Sequence, residues 1–279
     1  MKAMMYGAGL AVCALAATWP CGARGESAPA ATAQPPAELT EKDDKAWSAE
    51  VSVDVLSDYV WRGMIANDNP VWQPAVTLAY DTGDWGALSA NVWSTFDLTH
   101  KRGSSNNSRR AAGLQEIDYT LSYAIEWAGV GLETGYIWYT YPNNNGATDQ
   151  DIFASVSYDN PIVTPALTVF WNYSDSCGND PSALYCTFAC SHTFELTEKF
   201  ALTPSAGVGY GNHGWTDAGH ELTDQTVGLS ATYALCDYVS LGAQINYTWV
   251  PSHELRRSDW MGEGKDQLCW GGVNVTFSF

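Results

Sequence analysis

Residues 116–127, EIDYTLSYAIEW, alternate without a break. In an extended chain Ile117, Tyr119, Leu121, Tyr123, Ile125 and Trp127 point one way, and Glu116, Asp118, Thr120, Ser122, Ala124 and Glu126 point the other. The same period of two recurs over 47–62, 71–80, 85–97, 116–127, 130–141, 150–158, 166–173, 184–195, 200–211, 222–235, 238–250 and 265–279, which predicts twelve strands in an all-β chain. The connections alternate as well. Those at 81–84, 128–129, 159–165, 196–199 and 236–237 are mostly short, and those at 63–70, 98–115, 142–149, 174–183, 212–221 and 251–264 are longer.

Short turns at one end and long loops at the other describe an up-and-down antiparallel meander. Transmembrane β-barrels have this asymmetry, with short periplasmic turns and longer outer loops. A ring of about twelve strands tilted by ~40° has a backbone radius of roughly 12 Å, too wide for wall side chains to fill with a dry core. The faces opposite the apolar ones are too polar for lipid. The consistent arrangement turns Ile117, Tyr119 and Leu121 toward hydrocarbon and Glu116, Asp118 and Glu126 toward a wet lumen. Closure also pairs every backbone group, as a bilayer demands. Aromatics gather near the strand ends: Trp47, Tyr80, Trp127, Tyr158, Phe194, Phe200 and Tyr233 by the short turns, and Tyr59, Trp61, Trp72, Phe96, Trp138, Trp171 and Trp249 by the long loops. They are expected to form two interfacial girdles.

The formal charge of −18 makes nucleic acid a poor partner. Lys2, the apolar stretch 3–17 and the small residues Ala23 and Gly25 predict a secretory signal over 1–25, cut before Glu26. Residues 26–46, rich in Ala, Pro and charge, read as a periplasmic tether, leaving 47–279 as the barrel. Five cysteines follow the signal: Cys177, Cys186, Cys190, Cys236 and Cys269. Cys186 and Cys190 share a strand face about 13 Å apart, too far to bridge or to share a metal. A Cys177–Cys186 loop disulfide stays open as one pairing.

The chain ends GGVNVTFSF, with Val275, Phe277 and Phe279 on one face. This resembles the C-terminal signal of bacterial outer-membrane proteins and implies recognition by the barrel assembly machinery. The segments SDYVWRGM (57–64), EIDYTLSYA (116–124) and YIWYTYP (136–142) resemble the TorF-like porin family, also called the Gcw_chp family, over about residues 47–173. The resemblance implies an outer-membrane location and pore formation, and implies no particular substrate.

The expected lumen carries Glu50, Asp54, Asp58, Asp97, Glu116, Asp118, Glu126, Glu133, Asp151 and Glu195 against one basic residue, Arg62. Acid rings favour cations in a narrow wet pore, although such acids also serve simply to solvate a wall. Arg62 is expected to brace the lumen through a cross-strand carboxylate, Asp97 or Glu116. Tyr139 and Tyr141 face inward and either narrow the mouth or stack against solutes. Lys101, Arg102, Arg109, Arg110, Arg256, Arg257 and Lys265 fall in or beside the long loops, where they either keep the loops soluble or pair with lipopolysaccharide phosphates. His100, His213, His220 and His253 lie in loops and His192 faces lipid, without metal-ligand spacing. Protease and phosphate-loop motifs are absent, as is the His-x-Ser-Asn-Gly run of outer-membrane phospholipases. No enzyme activity, metal or cofactor is expected. The residues point to an outer-membrane porin-like channel for passive diffusion of small solutes through a polar, acidic lumen with cation preference. The alternative is a closed barrel acting through its basic outer loops as a surface-binding or structural protein. The expected partners are outer-membrane lipid and lipopolysaccharide, the assembly machinery, and small solutes or cations.

Overall fold

The computed structural model describes residues 46–99, 113–143, 146–173 and 182–279, and a two-residue pairing of Leu15–Ala16 with Ala31–Thr32. The expected leader (1–25) otherwise lies outside the described residues, as does the tether (26–46) apart from Ala31, Thr32 and Ala46. Twelve strands form one ring: β1 (Trp47–Leu56), β2 (Val71–Asp81), β3 (Ala87–Asp97), β4 (Leu114–Trp127), β5 (Val130–Tyr141), β6 (Ala147–Tyr158), β7 (Thr164–Asn172), β8 (Ala183–Ser191), β9 (Phe200–Gly211), β10 (Glu221–Cys236), β11 (Val239–Trp249) and β12 (Gln267–Ser278). Past a break at 192–193, β8 continues as Phe194–Thr197 against the start of β9. Every neighbour is antiparallel. The ring closes where β12 pairs with β1, from Gly272↔Leu56 to Ser278↔Glu50.

The alternation explains the ring. Its outer face exposes Val76, Leu78, Leu121, Leu132, Ile152, Val156, Leu167, Leu229 and Ile245, while its inner face buries Ser52, Gln73, Thr95, Ser155, Ser157, Thr168 and Thr248. That inverts a soluble protein, and an apolar belt of this extent belongs in hydrocarbon. Trp47 packs on Tyr80 with ring centroids 4.7 Å apart at the short-turn end, where Trp127, Tyr158 and Phe194 are exposed. Trp72 stacks on Phe96 near the long-loop end, where Trp138 and Trp171 are exposed on other strands.

Two features depart from the sequence expectation. The first strand ends at Leu56, not at 62, because the chain then turns inward as a second hairpin, Tyr59–Trp61 paired with Met64–Asn67. Tyr59 and Trp61 therefore leave the girdle: both are buried inside the barrel. A ring of this width can hold a dry core when a segment of the chain supplies the filling. Tyr59, Val60, Trp61, Met64 and Ile65 of the hairpin pack with wall residues Trp93, Ile137, Tyr139, Tyr141, Phe153, Phe170, Tyr185 and Trp270. The 250–266 loop folds over the same core. Its short helix α2 (His253–Arg257) is capped by the Ser252 side chain and buries Leu255, while Trp260 and Met261 are buried beyond it. The Ile65 amide donates to the Met261 carbonyl at 2.7 Å, which ties this loop to the hairpin.

The lumen thus has two halves. The long-loop half is solid. The short-turn half is a cup lined by Glu50, Ser52, Asp54, Thr77, Ser89, Asn91, Thr120, Ser122, Glu133, Ser205, Ser230, Gln244, Asn246, Asn274 and Thr276, many of them half-buried. No helix among the described residues is long and apolar enough to cross a membrane.

Candidate functional site

The inner hairpin is built by its turn. Trp61 pairs with Met64 across a two-residue loop in which Arg62 (φ 41°) and Gly63 (φ 80°) both take positive φ. That is the type I′ pattern matching the twist of flanking strands, and its second position suits Gly. Arg62 accepts the left-handed region at a cost of about 1–2 kcal/mol, so something outside the turn must hold it there. A Cβ at position 63 would also come within 2.6 Å of the Asp224 Cβ on β10, so the tip needs Gly for room as well as for its angle.

What holds the tip lies across the barrel. The hairpin leaves the ring between β1 and β2, yet Arg62 Nη2 meets Asp151 Oδ2 of β6 at 3.2 Å, with both side chains buried. The guanidinium carbon lies 4.2 Å from the ring centroid of Phe170 (β7), 4.3 Å from that of Tyr185 (β8) and 4.8 Å from that of Trp215. Trp215 sits in the short helix α1 (His213–Thr216), whose cap residue Asn212 accepts from the Trp215 amide. Trp61 of the hairpin supplies a fourth face at 5.0 Å. A guanidinium is thereby boxed by four aromatic rings and one carboxylate.

The box is braced from behind. Tyr139 Oη donates to Asp151 Oδ2 at 3.3 Å, and Tyr185 Oη donates to Asp224 Oδ1 at 3.1 Å, an oxygen that also accepts from Thr223 Oγ1 at 2.7 Å. Asn172 Nδ2 donates to Asp149 Oδ1 at 2.7 Å. Phe153 packs on Phe170, and Tyr185 packs on Trp215. On the other side of the hairpin Glu116 lies against Asp118, Tyr59 and Tyr141, and Tyr59 packs on Trp93. At the hairpin base Asn67 Nδ2 reaches Gln115 Oε1 at 2.9 Å and Asp97 Oδ2 at 3.2 Å.

Several sequence expectations are corrected by this arrangement. Arg62 is a brace, but its partner is Asp151 and not Asp97 or Glu116. Arg62 and Asp58 belong to the inward turn and not to the wall strand. Glu116, Asp118 and Asp151 face inward and are 1%, 3% and 0% exposed, so they line the packed interior and not an open lumen. Tyr139 and Tyr141 are packed inside the plug instead of framing an open mouth. The water-facing acids of the lumen are Glu50, Asp54 and Glu133 in the cup, with Glu126 exposed at its rim. Asp97 is half-buried at the hairpin base, and Glu195 is exposed on the continuation of β8.

Arg256, Arg257 and Lys265 are exposed at the long-loop end, whereas Lys101, Arg102, Arg109 and Arg110 lie outside the described residues. Val275, Phe277 and Phe279 share one face at the end of β12, and Phe279 exchanges backbone hydrogen bonds with Ala49. Cys186, Cys190, Cys236 and Cys269 are free thiols, and Cys177 lies outside the described residues. Among the described residues no group of three His, Cys, Asp or Glu is placed to hold a metal ion.

Sequence reasoning missed Phe170, Tyr185, Trp215, Asp149 and Asp224. A usable signal existed for two of them. Phe170 lies between the lipid-facing Val169 and Trp171, and Tyr185 between Leu184 and Cys186, so each is a large ring in the inward phase of its strand. Trp93 and Phe153 break phase in the same way, Trp93 toward the long-loop end and Phe153 at mid-strand.

The fold places the chain among known barrels. It resembles an outer membrane channel from Pseudomonas putida F1 at 12% identity, with a TM-score of 0.50 over 88% of this chain and 99% of that one. It also resembles the NanC porin (11% identity, TM-score 0.48, 83% and 98% covered) and outer membrane phospholipase A from Escherichia coli (13%, 0.45, 82% and 92%). At such identities the likeness is one of fold. No curated protein matches the chain. The model of a family described as bacterial protein of unknown function (Gcw_chp) matches residues 41–255, and the chain belongs to that family.

Proposed function

We propose that the chain is a porin-like channel of the outer membrane, closed at its long-loop end by its own hairpin, and that small solutes pass when the hairpin leaves the lumen. The observation that carries this reading is the difference between the two halves. One half is a cup lined by polar side chains, and the other is closed by an inward hairpin with the 250–266 loop packed over it. The hairpin is also separable from the wall. Leu56 and Val71 are paired neighbours in β1 and β2, so residues 57–70 are an insertion between two strand ends that already meet.

Docking of that insertion is finely balanced. Burying its five apolar residues is worth on the order of 10 kcal/mol gross. Ordering its nine strand and turn residues costs a similar amount, at roughly 1–2 kcal/mol each. The ion pair and aromatic contacts of Arg62, the Ile65–Met261 hydrogen bond and the Asn67 contacts add to the docked side.

Glu50, Asp54 and Glu133 in the cup support a cation preference, since Arg62 is the one basic side chain on the lumen side among the described residues. The apolar outer belt supports a bilayer location, and the expected leader supports export. No catalytic role is proposed.

Planar-bilayer recording of the intact protein and of a variant with residues 57–70 replaced by Asn-Gly tests the proposal. The intact protein should open rarely. The variant should conduct steadily and show a cation-side reversal potential in a salt gradient. A variant that folds and does not conduct would sink the channel and leave a closed barrel working through its loop surface, the reading that the solid long-loop half favours.

A further inference from the structure

We infer that the box around the Arg62 guanidinium is a binding site for a small organic cation carrying a guanidinium or ammonium group, and that such a cation competes with the hairpin tip for it. Three of the four rings, and the carboxylate, do not belong to the hairpin: Phe170 is on β7, Tyr185 on β8, Trp215 on α1 and Asp151 on β6. Trp61 alone travels with the tip.

The fixed parts are held by contacts that do not involve Arg62. Tyr185 is anchored on Asp224, Trp215 by the Asn212 cap and by Tyr185, Phe170 by Phe153, and Asp151 by Tyr139. Trp215 also packs on Trp61 of the hairpin with ring centroids 5.5 Å apart, and that one contact leaves with the tip; the others stay, so withdrawing the hairpin uncovers a site whose carboxylate and three rings keep their own supports. Aromatic faces carry negative potential and attract a cation most strongly when water is excluded. A planar, weakly hydrated guanidinium suits both the rings and the carboxylate. Asp149 and Asp224 lie just behind and add acceptors, while no second basic side chain is buried among the described residues. An anion or a neutral sugar finds no complementary charge there. The structure already shows the cognate chemistry in place: Arg62 is a tethered ligand.

The step from occupancy to opening rests on the proposed channel, whereas the site itself does not. Arg62→Ala, with Arg62→Gln as a second variant of nearly the same tip, vacates the charge position. Heat-modifiable migration in gels confirms a folded barrel. Titration with guanidinium chloride, followed by tryptophan emission because Trp61 and Trp215 line the box, should give a saturable change that sodium chloride at equal ionic strength does not give. Adding Asp151→Asn should weaken it by about tenfold or more. The site is overturned if a folded Arg62 variant shows no saturable response, responds equally to sodium, or is indifferent to Asp151→Asn. Bilayer recording separates the two ideas. Saturable binding in a barrel that never conducts leaves the site and removes the channel, and conduction without binding does the reverse. In the intact protein, millimolar guanidinium should raise the frequency of openings if both hold.

Discussion

At the scale of single residues, the plug depends on its two tip positions. Gly63 answers two demands together, a positive φ and the nearness of the Asp224 Cβ. Gly63→Ala should therefore weaken docking of the hairpin by about 1–3 kcal/mol while leaving the barrel wall intact. Limited proteolysis checks this: cleavage within 57–70 should rise in the variant while the heat-modifiable gel shift persists. Arg62 was legible in the sequence as a lone inward cation that needed a carboxylate, and it has one. Which carboxylate was not legible. Asp97 and Glu116 are near in the chain and on nearby strands, whereas Asp151 is 89 residues away. Only the path of the hairpin across the lumen makes it the partner. The buried rings Phe170 and Tyr185 were legible in principle as bulky residues in the polar phase of their strands. Trp215 was not, since it follows β9 in the short helix α1, outside any strand with a phase to break.

At the scale of elements, the alternating strand tells lipid from lumen residue by residue. Leu121 and Thr120 are neighbours near the middle of β4 and face opposite sides. Leu121→Arg should cost about 2–4 kcal/mol of barrel stability, as a lipid-facing cation near the bilayer centre does. Thr120→Arg, aimed into the cup, should cost far less, within about 1 kcal/mol. Urea unfolding in lipid vesicles measures both. The inner hairpin escaped notice because alternation continues into it. Val55, Tyr59 and Trp61 fit one face of a single long strand by spacing alone, and nothing local separates a strand that goes on from one that turns inward after Leu56. The Arg62–Gly63 pair was the available warning, since a two-residue turn with positive φ suits that dipeptide better than the middle of a wall strand does.

At the scale of the whole molecule, the barrel is a cup with a solid half, and that asymmetry can be read chemically. Asn91 and Thr95 share the lumen face of β3, but Asn91 borders the cup and Thr95 is fully buried beneath the hairpin beside Gln73. A membrane-impermeant maleimide should label Asn91→Cys and spare Thr95→Cys, scored by peptide mass spectrometry. Replacing residues 57–70 with a tight turn should make both reactive. If Thr95→Cys labels as fast as Asn91→Cys in the intact chain, the long-loop half is not solid. The ring is written in local chemistry: the period of two assigns each wall side chain to lipid or interior, and a bilayer admits extended backbone only in a closed sheet. The tertiary structure alone decided what fills that ring, and with it which acids meet water and which meet Arg62. The physical reason is that lipid imposes the same demand on every outward residue, so outward chemistry repeats along the chain. The interior is specified by contacts between segments far apart in sequence, and no periodicity records them.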